Sequence, residues 1–279
     1  MGLKPLHELI APGGGIVRTG HRGARGLAPE NTLPAFRAGV EAGVDVLEFD
    51  VQQTKDGQIV VIHDPTVDRT TDGSGLVAEQ TLAELRAHDA GYRFSRDGGE
   101  SFPFRGQGVA IPRLEEVLEA FPEHRFTVEL KPSPYPDFVE RVVTILRELA
   151  PERAVVGAFP HGLLGRFRRL APEVPTGCSS REITFFYGLH LVGLGGWLGS
   201  QARILQIPRF SDHDRDRGIP LTTPRLIRAA HGSGRSVQVW TINEPEIMEQ
   251  LLDLGVDGIT TDRPDLLNEV LARRSAKAE

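Results

Sequence analysis

Between Val44 and Asp64 the chain reads VDVLEFDVQQTKDGQIVVIHD, which sets two carboxylates and a histidine inside an otherwise apolar run. Alternation along a strand puts Glu48 and Asp50 on one face, roughly 7 Å apart at Cα. Asp56-Gly57 reverses the chain, Ile59–Ile62 runs back as a second strand, and His63 and Asp64 close it. Glu-x-Asp alone describes a strand with a solvated acidic face. Here Val44, Val46, Leu47, Phe49 and Val51 surround the acids, as in a strand apolar on both sides. Buried carboxylates need a metal, a cation or strong hydrogen bonds.

A third carboxylate, Glu129, ends a later strand with Lys131 two residues on, again on one face. Three oxygen donors, Glu48, Asp50 and Glu129, favour a hard ion, Mg²⁺ or Ca²⁺, over Zn²⁺. Arg22 and Lys131 have those carboxylates or a bound anion as partners. A cation, an arginine and a lysine about one point are how proteins hold a phosphate under attack. His21 and His63 add one general base and one general acid, because imidazole titrates near neutrality. Metal activation, charge stabilisation and proton transfer together describe phosphodiester cleavage.

The elements that must position these groups follow a regular order. Ile16–Thr19 is a short strand ending in Gly20-His21-Arg22-Gly23, and Asn31 or Thr32 caps a helix over 33–42. Beyond Ala110, apolar spacing alternates between strand and helix. Strands are expected near 16, 44, 126, 154, 176, 203, 237 and 257, with Trp240 and Asn243 following the seventh. Eight such β/α units point to a (β/α)₈ barrel, whose chemistry sits where strands end and βα loops begin. The histidines, carboxylates and basic residues fall at those ends. Residues 65–110, rich in glycine and turn formers, read as a small insertion after the second strand within a single domain spanning 1–279.

Several polar residues receive plainer readings. Glu30, Asn31 and Thr32 are helix-capping candidates, Asp68 and Arg69 turn residues, and His161, His190, His213 and His231 structural or surface groups. The Gly-rich stretch Ile183–Leu198 is short for a membrane span and carries His190, so a buried or groove-lining helix over about 183–199 is expected.

Composition excludes other classes. A net charge of −6 gives no electrostatic case for nucleic acid or an anionic membrane. The single cysteine, Cys178, rules out an internal disulfide framework. Residues 1–15 read as a leader with little structure, and Gly13-Gly14-Gly15 interrupts any signal-peptide core. A cytoplasmic location is the expectation, and the sequence assigns no oligomeric state.

His21-Arg22-Gly23, Pro29-Glu30-Asn31-Thr32, Glu48-Phe49-Asp50-Val51, His63-Asp64, Asp68-Arg69-Thr70-Thr71, Glu129-Leu130-Lys131, Trp240-Thr241-Ile242-Asn243 and Gly258–Pro264 occur in order. Together they resemble the glycerophosphodiester phosphodiesterase family from about residue 16 to 268. The resemblance implies a TIM barrel with a small insertion after the second strand, and hydrolysis of small-molecule glycerophosphodiesters to an alcohol and glycerol 3-phosphate. It implies Glu48, Asp50 and Glu129 as ligands of Mg²⁺ or Ca²⁺, and His21 and His63 as the acid–base pair. Arg22 and Lys131 would bind phosphate and Trp240 would line the glycerol side. A lysophospholipase D-type activity is the alternative, with Phe185, Phe186, Leu191 and Trp197 taking an acyl chain. A non-catalytic module binding a phosphate ligand is the third reading.

Overall fold

A computed structural model describes residues 14–195, 199–212 and 217–278. The leader expectation over 1–13, Trp197 and His213 lie outside the described residues. Strand β1 (Val17–Gly20) leads into helix α1 (Leu33–Glu41), which Thr32 caps by accepting from Ala35 N, with Pro34 in the first turn. Strand β2 (Val46–Gln53) is buried along its whole length, and β3 (Ile59–Val61) pairs with it antiparallel. After the 65–110 segment, which carries α2 (Leu82–Arg86), α3 (Leu114–Ala120) closes the second unit. Then follow β4 (Arg125–Leu130), α4 (Phe138–Leu149), β5 (Ala154–Gly157), α5 (His161–Leu170) and α6 (Ser180–Leu191). Strand β6 (Ile204–Pro208) precedes a short hairpin, β7 (Phe210–Asp212) and β8 (Arg217–Pro220). Helix α7 (Pro224–Gly232), β9 (Ser236–Trp240), α8 (Pro245–Leu254), β10 (Gly258–Thr261) and α9 (Pro264–Ala278) complete the chain.

The main sheet runs β5-β4-β2-β1-β10-β9-β6, parallel throughout except for the β3 arm. Thr176 bridges to Val156 of β5 and Gly177 to Ile204 of β6, both parallel. This two-residue strand joins the sheet edges and closes the (β/α)₈ barrel, with all eight strands where the sequence places them. The core fills the layer between strands and helices in two blocks. One packs Phe36, Phe49, Phe126, Phe138 and Phe167 around β2, β4 and β5; the other packs Phe186, Leu205, Val239, Met248 and Ile259 around β6, β9 and β10. Residues 65–110 add a smaller cluster, Val67, Val77, Leu85, Ala90 and Val109, seated on Val60 and Ile62 of the return arm.

The helix expected over 183–199 is Ser180–Leu191 instead. Ser179 and Glu182 form a capping box that starts it earlier, and Gly193, at φ 79°, takes the chain out of helical geometry. Its side chains divide between the core and an open groove lined by Arg181, Thr184, Phe185, Gly188 and Leu189. Phe186 is fully buried in the second core block, whereas Phe185 is 57% and Leu191 48% exposed. Among the described residues, no helix is long and apolar enough to cross a membrane.

Candidate active site

The cluster begins with strand register. Asp50 of β2 lies beside Glu129 of β4, and Glu48 beside Thr127, so alternate residues of two parallel strands face the same interior. Leu47, Phe49 and Val51 take the other side, into the strand–helix core. One oxygen from each of Glu48, Asp50 and Glu129 lies within 4.8 Å of the others, the donor set of a hard divalent cation.

The β1–α1 loop folds over this trio. Gly23 N donates to Gly20 O at 3.2 Å and to Glu48 O at 3.1 Å. A Cβ on Gly20 would stand 1.9 Å from the Gly23 carbonyl oxygen, so this closure requires glycine. Arg22 and Asn31 both adopt positive φ, 50° and 57°. That conformation aims Arg22 N at Glu48 Oε2, 2.8 Å away, and Asn31 Nδ2 at Asp50 Oδ2, 3.0 Å away. The Arg22 guanidinium lies 2.7 Å from Glu30 Oε1 and 3.5 Å from Asp50 Oδ2. Lys131 Nζ lies 2.9 Å from Asp50 Oδ1 and also contacts Glu129.

These neighbours divide the three carboxyls. Burial and the facing Asp50 push Glu48 well above the ordinary carboxyl range. Burial and Asp50 likewise raise Glu129, with Lys131 opposing them. Burial acts on Asp50 too, but Lys131, Arg22 and His63 outweigh it and hold that carboxyl low. The trio thus has more acid than its basic partners neutralise, and a bound cation would relieve that surplus.

Both histidines have the same backing. His21 Nδ1 is 2.6 Å from Asp262 Oδ1, and His63 Nδ1 is 2.6 Å from Asp64 Oδ1. A carboxylate only accepts, so each Nδ1 carries a proton and leaves Nε2 for chemistry, as a lone pair in the neutral ring and as an N–H donor in the imidazolium. Asp262 is fixed in turn by Arg25 Nε at 2.8 Å and Asn243 Nδ2 at 2.9 Å. Burial lowers the pKa of His21 against the pull of Asp262, and lowers that of His63 against the pull of Asp50. A cavity of about 390 Å³ joins these groups, lined by His21, Arg22, Glu48, Asp50, His63, Glu129, Lys131 and Trp240. Its far wall is the aromatic corner of Phe159 and Trp240, ring centroids 5.8 Å apart at 87°.

A sequence profile of the glycerophosphoryl diester phosphodiesterase family matches residues 21–266. The chain belongs to that family. A glycerophosphodiester phosphodiesterase of Caldanaerobacter subterraneus subsp. tengcongensis is 35% identical over 252 residues, covering 88% of this chain and 94% of that protein. A lysophospholipase D of Rattus norvegicus is 30% identical over 275 residues, covering 92% and 86%. The crystal structure of glycerophosphodiester phosphodiesterase from Agrobacterium tumefaciens superposes with a TM-score of 0.70 at 28% identity, covering 90% of this chain and 99% of that one.

All eight site residues expected for this family line the one cavity. Of the acyl-chain set, the described members Phe185, Phe186 and Leu191 do not line it; among the described residues of α6, Ile183 alone does. Arg69 is more than a turn residue, since its guanidinium bonds Glu30 and Asp64. Glu30 does not cap α1 but pairs with Arg22, leaving the cap to Thr32. Sequence reasoning passed over Asp262 as a partner of His21. Its signals were its place at the end of the eighth strand, where barrel chemistry sits, and its inclusion in the Gly258–Pro264 motif.

Proposed function

We propose that the chain hydrolyses glycerophosphodiesters to an alcohol and glycerol 3-phosphate, using Mg²⁺ or Ca²⁺ held by Glu48, Asp50 and Glu129. The observation that carries this reading is the convergence on one cavity of three carboxylates, two cations and two carboxylate-backed histidines. The ion would supply Lewis-acid stabilisation of the phosphate and of an attacking oxygen. Arg22 and Lys131 bind the phosphate oxygens and offset the charge that grows on them. One of His21 and His63 takes a proton from the attacking group through Nε2, and the other delivers one to the leaving alcohol. Asp262 and Asp64 fix each ring's tautomer and steady its imidazolium form. Trp240, with Phe159, walls the side toward the glycerol, and residues 65–110 form an inserted subdomain beside the His63 arm. The single Cys178 thiol, buried and free, is compatible with a cytoplasmic location.

A second reading is a lysophospholipase D-type activity, supported by the relative of that name. Phe185 and Leu189 line an open groove that shares no lining residue with the carboxylate cavity, which disfavours α6 as the acyl-chain wall of this site. The test is release of glycerol 3-phosphate from glycerophosphocholine, and of choline from lysophosphatidylcholine, each with Mg²⁺, Ca²⁺ or EDTA. Metal-dependent release of glycerol 3-phosphate is expected. Greater turnover on the lipid moves the assignment to the second reading, and tight binding without product moves it to a non-catalytic module.

A further inference from the structure

Arg69 lies on the segment that follows His63, 47% exposed at its side chain. Its guanidinium makes two bidentate pairs in opposite directions. Toward the return arm, Nε lies 2.5 Å from Asp64 Oδ2 and Nη2 lies 3.2 Å from Asp64 Oδ1. Toward the β1–α1 loop, Nη1 lies 2.8 Å from Glu30 Oε2 and Nη2 lies 2.7 Å from Glu30 Oε1. Asp64 holds His63 Nδ1, and Glu30 holds the Arg22 guanidinium. One planar fork therefore ties the support of a proton-transfer residue to the support of a phosphate-binding residue, across a gap that no backbone hydrogen bond between the two segments spans among the described residues.

We propose that Arg69 is a positioning residue for the reaction, setting His63 through Asp64 and Arg22 through Glu30. The inference rests on the proposed phosphodiesterase reading. Lysine fits the role poorly, because a point charge with a single nitrogen cannot satisfy two carboxylates in two directions. Glu30 is only 12% exposed at its side chain, so removing Arg69 leaves that carboxylate with Arg22 as its close partner and costs some stability as well as rate. The charges around the fork are Glu30, Asp64, Arg22 and His63, with Arg25 4.0 Å from Glu30 on the far side.

The experiment compares wild type, Arg69→Ala, Arg69→Lys, Glu30→Gln and Asp64→Asn on glycerophosphocholine with saturating Mg²⁺, alongside thermal melts. Glu30→Gln is expected mainly to raise KM, through Arg22, and Asp64→Asn mainly to lower kcat, through His63. Arg69→Ala is expected to do both, losing about 10- to 100-fold in kcat/KM, the size usual for groups that orient others. Arg69→Lys should recover little, and guanidinium added to folded Arg69→Ala should restore part of the rate. Wild-type kinetics in Arg69→Ala would overturn the proposal, as would a loss that guanidinium leaves untouched. An inactive wild type would instead overturn the phosphodiesterase reading.

Discussion

Among the described residues, glutamate is buried at two places, and they treat it in opposite ways. At the head of α6, Glu182 accepts from Arg168 Nη1 at 2.7 Å and Nη2 at 3.1 Å, from Ser179 N at 2.8 Å, and from the hydroxyls of Ser179 and Ser200. Burial works against its charge, yet those partners hold it down to about 2. At the strand ends, Glu48 accepts one backbone N–H from Arg22 and faces Asp50 and Glu129, and its carboxyl is raised. The first arrangement is complete as folded protein. The second would be completed by a cation under the proposed function, and the contrast would then separate an acid that holds the fold from an acid held ready for a ligand.

Neutral replacements sharpen this contrast. Glu182→Gln should destabilise the fold by about 3 kcal/mol near neutral pH, from roughly two and a half pH units of linkage. The sign follows from a folded pKa below the unfolded one. The Glu182 contribution is full above about pH 4.5 and fades as pH falls toward about 2. Wild-type melts should therefore lose stability through that window, and Glu182→Gln melts should lose less. Glu48→Gln should do the reverse, removing a penalised charge so that the metal-free melting temperature holds or rises while activity falls on the order of 10²- to 10³-fold. Equal destabilisation by both changes would break the comparison. A smaller effect is expected at Asp262→Asn, about 10- to 100-fold in kcat, because the loss is in the orientation and tautomer of His21 rather than in a reacting group. An unchanged kcat would remove Asp262 from the site.

The legible parts of the sequence were the local ones. Apolar runs and helical spacing located the strands, including the one at 176 that survives as two bridges at Thr176 and Gly177. Glu48-x-Asp50 and Glu129-x-Lys131 announced their shared faces through the two-residue repeat of a strand, and register then made them neighbours. What escaped was set by distance along the chain. Asp262 reaches His21 across 241 residues, and Arg69 reaches Glu30 across 39. Both sit in segments that belong to the family's ordered motifs, but whose spelling names no partner across the chain. The outer face of α6 also escaped, because a run such as Ile183–Leu191 is apolar on too many sides for its sequence to say which side meets the core.

Titration of Mg²⁺ or Ca²⁺ into metal-stripped protein at pH 7.5, by calorimetry, tests the central claim most directly. One ion should bind per chain, and Glu48→Gln should weaken or abolish that binding while Glu182→Gln leaves it unchanged. No binding by folded wild type, or binding indifferent to Glu48→Gln, would contradict the assignment of the three carboxylates as the metal site.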